Sequence, residues 1–315
     1  MNTMKWLIRR ELWEHKGSLV WAPATVAGAL ASLATLAAFA GRQISINGDI
    51  PQSVVVTGGP LEHLVQTLTQ TYMASSLPLF LMLSVLVFFY CLGALHDDRR
   101  DRSILFWQSL PVSDLQTVLS KAAIALLVAP LITIAIALLL SLFILLVICL
   151  VMALHGTHIA GPVLMSPGLY RSAFNVIGML PVYALWALPT VGWLLLVSSV
   201  ARSKVFLWAV GTPLAASLLM LWAERFFQLD FNSGWIMQHV VERILLGVLP
   251  GAWFLFTSAD EQVHLSMPDA GGLQVGGLLQ ASWQTLGSAS AWLGVAAGIA
   301  MLAGAVWIRR HREEG

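Results

Sequence analysis

Chemistry needs histidines, carboxylates or nucleophiles at motif spacing, and this sequence offers few such groupings. His155 and His158 stand three positions apart and could share a metal ion. They sit in a Gly-containing loop with no nearby Cys, Asp or Glu, so the spacing reads as incidental. There is no G-x-x-x-x-G-K-[ST] run to cradle nucleotide phosphates, no H-E-x-x-H to hold zinc and no G-x-S-x-G to activate a serine. The densest ionisable grouping is Asp97-Asp98-Arg99-Arg100-Asp101-Arg102, followed by the apolar run Ile104-Leu105-Phe106-Trp107 and then Leu110-Pro111-Val112-Ser113. Its acidic and basic residues balance, so it is not a polybasic lipid-binding patch. Ser103 is placed to cap a short helix, Pro111 to end it, and Ser113 or Asp114 to cap the next, which leads through Lys121 into an apolar segment. A short helix that exposes Phe106, Trp107 and Leu110 invites burial in a protein partner. The alternative is that it lies on the membrane interface or on its own chain.

The elements around this loop are set by composition. Of 315 residues, 58% are hydrophobic and 10% are charged, against about 25% charged in soluble domains. Mean hydropathy is +0.79. The expectation is an all-α membrane protein, one transmembrane domain over residues 1–315. A spanning helix needs about 20 mostly apolar residues, and six runs qualify: 20–40, 76–95, 122–153, 174–200, 205–223 and 288–308. Pro130, Pro181, Pro189 and Pro213 fall in these runs and predict local kinks. With both termini in the cytoplasm, 13 of the 17 Lys and Arg residues lie on the cytoplasmic side, while the acidic residues divide evenly. That bias sets the orientation and makes 96–121 a cytoplasmic loop.

Residues 1–18 are expected to form an interfacial helix, with Met4, Ile8 and Leu12 on one stripe, Lys5, Arg9 and Lys16 on another, and Glu11 and Glu14 spoiling a clean amphipathic pattern. Residues 41–75 read as an external loop with a short helix near 60–73, and 154–173 as a second external loop. Residues 224–287 are the largest external segment, in which 244–256 is too short and interrupted to span and reads as re-entrant. Cys91 and Cys149 fall near opposite membrane faces and read as buried thiols. The cores of the first five runs carry no Asp, Glu, Lys, Arg or His, so no ion-coupled transport site is evident. Candidate polar groups lining a pathway are Ser84, Tyr90, Thr133, Ser141, Tyr183 and Thr190, each equally able to bond a carbonyl of its own helix. Ser290, Gly294 and Gly298 form a small-residue stripe suited either to internal packing or to dimerisation.

Asp98-Arg99-Arg100-Asp101-Arg102-Ser103, Leu110-Pro111-Val112-Ser113 and Lys121 together resemble the coupling loop of type-2 ATP-binding-cassette (ABC) exporter permeases. There the loop reads acidic-Arg-acidic-x-Gly-Thr, an apolar run, Pro-[Val/Ile]-Ser, and Lys at the start of the third helix. Arg102-Ser103 stands here in place of Gly-Thr. The resemblance extends to the topology of six helices, an interfacial N-terminal helix, a cytoplasmic coupling helix between helices 2 and 3, and an external re-entrant segment between helices 5 and 6. It implies a permease subunit in the cytoplasmic (inner) membrane of a bacterium. It further implies a second permease chain and two copies of a separate ATPase subunit that binds ATP and Mg2+, with no cofactor in this chain and no nucleic-acid partner. Phe106, Trp107 and Leu110 would be the knob entering the ATPase, and Asp97–Arg102 would pair with the ATPase or with the N-terminal helix. The implied cargo is amphipathic, peptide-like or lipid-like. The rival readings are a membrane anchor or sensor that uses the same ATPase contact, and an intramembrane enzyme.

Overall fold

The computed structural model describes residues 3–40, 68, 72–100, 113–156, 159–227, 234, 237–256 and 275–312. Every regular element among them is helical. Six stretches are long and apolar enough to cross a membrane: Gly17–Phe39, Tyr72–Arg100, Asp114–Leu154, Ala160–Val200, Val205–Phe227 and Ala289–His311. They coincide in number and order with the six apolar runs, and the chain is a multi-pass membrane protein. The helix Thr3–Glu14 precedes them. The short helix expected near 60–73 falls mostly outside the described residues.

The prolines are accommodated by local helix geometry. Pro23 and Pro130 each follow a π-helical turn, Gly17–Trp21 and Ile124–Val128. A proline ring clashes with the carbonyl four residues earlier, and that carbonyl lies in the widened turn in both cases. Pro181 sits in the first turn of Leu180–Val200, where its missing N–H is not needed. Pro189 and Pro213 lie inside their helices.

The segment expected as the loop 154–173 is instead largely helical, as Ala160–Leu164 and Pro167–Gly178. Gly161, Pro162 and Pro167 read as loop punctuation, but both prolines occupy early helical positions, where proline is tolerated. Val163 and Leu169 bury against Leu145 and Cys149, and Tyr72 donates to the Leu169 carbonyl at 3.0 Å. Cys149 and Cys91 are both free and buried.

The fourth span is the hub. Val191, Leu194 and Leu195 are completely buried within the main core, together with side chains of the second, third and last spans. It packs on the last span at backbone distance. A Cβ on Gly192 would stand 2.7 Å from the Gly298 carbonyl, and one on Gly298 would stand 2.9 Å from the Leu188 backbone. Small residues at such crossings let helices approach until backbone dispersion contacts form.

Residues 237–256 fold back on the fourth span as a π turn, Met237–Glu242, and two short helices, Arg243–Leu246 and Trp253–Phe256. The reversal between these helices uses Gly251 at φ +89°, a conformation open to glycine at little cost. Phe256 stacks on Trp186 with ring centroids 6.1 Å apart, and Trp253 donates from Nε1 to Ser282 Oγ at 3.1 Å. Gly298→Leu should push the fourth and last spans apart and destabilise the protein by about 2 kcal/mol or more. Thermal unfolding in detergent reads this, and an unchanged melting temperature would contradict the packing.

Candidate functional site

The N-terminal helix presents two unlike faces. Trp6 and Trp13 are exposed, with Arg9 5.7 Å above one ring and Lys16 5.3 Å above the other. On the opposite side Leu7 and Glu11, one turn apart, are buried, and Ile8 and Leu12 pack against the main core. The acid that blurs the amphipathic pattern is therefore a buried group, and its partner lies 110 residues away.

That partner is Lys121. Ser113 caps the helix Asp114–Ala123 through a reciprocal box with Gln116: Gln116 N donates to Ser113 Oγ at 3.3 Å and Ser113 N to Gln116 Oε1 at 3.4 Å. The box fixes where the helix begins. It places Asp114 in the first turn and Lys121 two turns later, facing inward. Lys121, 1% exposed, donates to Glu11 Oε1 at 2.9 Å and pairs with Asp98 Oδ2 at 3.1 Å. Tyr90 OH donates to Glu11 Oε2 at 3.2 Å, and the His15 ring stands edge-on to Tyr90 at 5.0 Å. Asp98 also lies 4.0 Å from Arg309, whose Nε donates to Asp114 Oδ1 at 2.7 Å. Three carboxylates and two cations thus tie together the N-terminal helix, the ends of the second and last spans, and the start of the third.

A second set of bonds locks the end of the second span to the fourth. Ser198 Oγ donates to the Leu92 carbonyl at 2.8 Å and accepts from the N–H groups of Leu95 and His96 at 3.1 and 3.0 Å. Arg99 donates to the carbonyls of Ser198 and Ala201, a cation at the C-terminal end of a helix, where the dipole favours it. Asp97 pairs with His96 at 3.2 Å, and Arg100 is exposed. Asp101, Arg102, Ser103, Phe106, Trp107, Leu110 and Pro111 lie outside the described residues.

The six polar candidates do not share one environment. Tyr90 belongs to the charge network, and Ser84 donates to its own helix at the Leu81 carbonyl, 2.6 Å away. Thr133 and Ser141 are buried in the third span, and Ser141 Oγ has no hydrogen-bond partner among the described residues. Tyr183 is buried with its hydroxyl likewise unpartnered, and Thr190 donates to the Arg243 carbonyl at 2.8 Å. Gly294 and Gly298 are occupied inside the chain, Gly298 against Leu188 and Gly294 against the Arg243 guanidinium, while the Ser290 carbonyl accepts from Arg243. Among the described residues no group of three or more His, Cys, Asp or Glu is arranged to hold a metal. His155 Nδ1 lies 2.7 Å from the Val151 carbonyl of its own helix, and His158 is outside the described residues.

Glu11, Asp114, Ser198 and Arg309 are the site residues that sequence reasoning left out. A signal existed for Glu11, an acid one turn after Leu7 on the apolar side of an amphipathic helix. Ser198 and Arg309 carry no local signal, since their roles arise only from tertiary packing.

The chain matches no family model, no curated protein and no solved structure. The network makes its own prediction. Glu11→Ala should leave a buried ammonium short of one carboxylate and cost about 3–5 kcal/mol. Glu11→Met with Lys121→Met should recover part of that loss, because an apolar pair of similar volume replaces the Glu11–Lys121 pair while Asp98 keeps Arg309 at 4.0 Å. Tryptophan-fluorescence melts of the three proteins read this, and a wild-type melt for Glu11→Ala would contradict it.

Proposed function

We propose that this chain is the membrane-spanning permease subunit of an ABC exporter. ATP hydrolysis in separate nucleotide-binding subunits drives it, and two permease chains form the translocation pathway. The observation that carries this reading is the ion network of Glu11, Asp98, Lys121, Asp114 and Arg309, centred on the buried Glu11–Lys121 pair and joining the two flanks of the 101–112 segment. Asp98 lies just before that segment and Asp114 and Lys121 just after it. A partner that pulls on the segment therefore displaces the second and third spans together, and through Arg309 the last span as well. A merely solvated loop has no need of a buried lysine on one flank paired to a carboxylate on the other.

In this reading the charge-rich end, both termini and residues 96–121 are cytoplasmic, and the N-terminal helix lies along the interface with Trp6 and Trp13 toward lipid headgroups. Residues 237–256 form the external re-entrant segment. Phe106, Trp107 and Leu110 enter the ATPase. The membrane is the cytoplasmic membrane of a bacterium, and the cargo is amphipathic, peptide-like or lipid-like.

Phe106→Ala with Trp107→Ala should reduce co-purification of an ATPase encoded beside this chain by about tenfold or more, as for loss of an aromatic anchor worth about 2 kcal/mol. Membrane insertion should be unchanged. Equal recovery of the ATPase, with equal stimulation of its hydrolysis, would overturn the proposal.

A further inference from the structure

Outside the charge network, one other charged side chain among the described residues is buried to a similar degree: Arg243, 6% exposed. It stands at the start of the short helix Arg243–Leu246 and reaches between the fourth and last spans. Its guanidinium lies 4.3 Å over the Trp186 ring. One terminal nitrogen donates to the Ser290 carbonyl and the other to the Ala291 carbonyl at 3.1 Å. Gly294 makes the room, since a Cβ there would stand 2.1 Å from the guanidinium. Gly247 does the same for the backbone, since its Cβ would meet Thr190 Oγ1 at 2.6 Å.

Among the described residues this cation has no partner anion. No carboxylate among the described residues forms an ion pair with it, and its Nε has no partner among them. Its two acceptors are carbonyls in the first turn of the last span, which also serve that helix's own ladder. A buried charge is ordinarily matched by an opposite charge, and an ionisable group among apolar helices commonly marks a substrate path.

We propose that Arg243 forms an oxyanion site that takes the carboxylate or phosphate of an amphipathic molecule. The planar fork of a guanidinium matches both anions, and the apolar flanks of the fourth and last spans suit the rest of such a ligand. That the ligand is cargo rests on the exporter reading. Binding itself is a property of this chain alone, so the two ideas fail separately.

The test uses the purified full chain in maltoside micelles, without an ATPase, and follows its melting temperature. Dodecyl phosphate and dodecanoate should raise it in a concentration-dependent way, and dodecyltrimethylammonium should not. Arg243→Gln should weaken the apparent affinity by about tenfold or more, and Arg243→Lys by a smaller factor. Stabilisation by inorganic phosphate equal to that by dodecyl phosphate would support the site and assign it to a free anion. Stabilisation of wild type by none of the anions would overturn the proposal. So would an undiminished shift in both Arg243→Gln and Arg243→Lys.

Discussion

An ammonium group 1% exposed to solvent is the constraint around which one end of this molecule is built. Taking Lys121 out of water carries a desolvation penalty of several kcal/mol, and only close carboxylates with complete hydrogen bonding offset it. Glu11 and Asp98 supply the charge, and Tyr90 satisfies the second oxygen of Glu11. These groups come from three helices, so the lysine can be buried only when the N-terminal helix and the second and third spans are all in register. Arg309 and Asp114 extend the same demand to the last span. The result is a set of helices whose relative positions are mutually determined around one residue.

The last span connects this end of the protein to the buried arginine. Its first turn accepts the hydrogen bonds of Arg243, and its last turns carry Arg309. Between them Gly298 holds the helix at backbone distance from the fourth span. Gly294 and Arg309 are fifteen residues apart, about 22 Å along a helix. A shift imposed on Arg309 by the charge network therefore reaches the Arg243 contact along one helix, with no loop to absorb it. The close-packed glycine crossing favours movement of the fourth and last spans as a unit. In the proposed exporter this is the mechanical route between the ATPase contact and a cargo-binding site.

The six spans and their order were legible in the sequence because apolar length is a local property that lipid enforces directly. The Ser113 cap was legible too, since a serine before an acid and a helical run is a local signal. The pairings were not. Glu11 was visible only as a flaw in an amphipathic stripe, because its compensation by Lys121 depends on two segments 110 residues apart. The helices at 160–164 and 167–178 were hidden by prolines that mark loops in one register and helix starts in another. Gly294 was recognisable as part of a small-residue stripe, but not that its space is taken by an arginine from another segment. Arg243 itself looked like an external loop charge, since nothing in its local sequence indicates that 237–256 folds against the fourth span.

In the proposed exporter, the network around Lys121 carries motion from the loop to the helices. The direct measurement is ATP hydrolysis by the neighbouring ATPase co-reconstituted in liposomes with either the wild-type chain or Glu11→Met/Lys121→Met. The double variant should still bind the ATPase stoichiometrically through its intact Phe106 and Trp107, while hydrolysis no longer responds to an amphipathic anion. A stoichiometric complex in which the double variant supports the full wild-type response would contradict it.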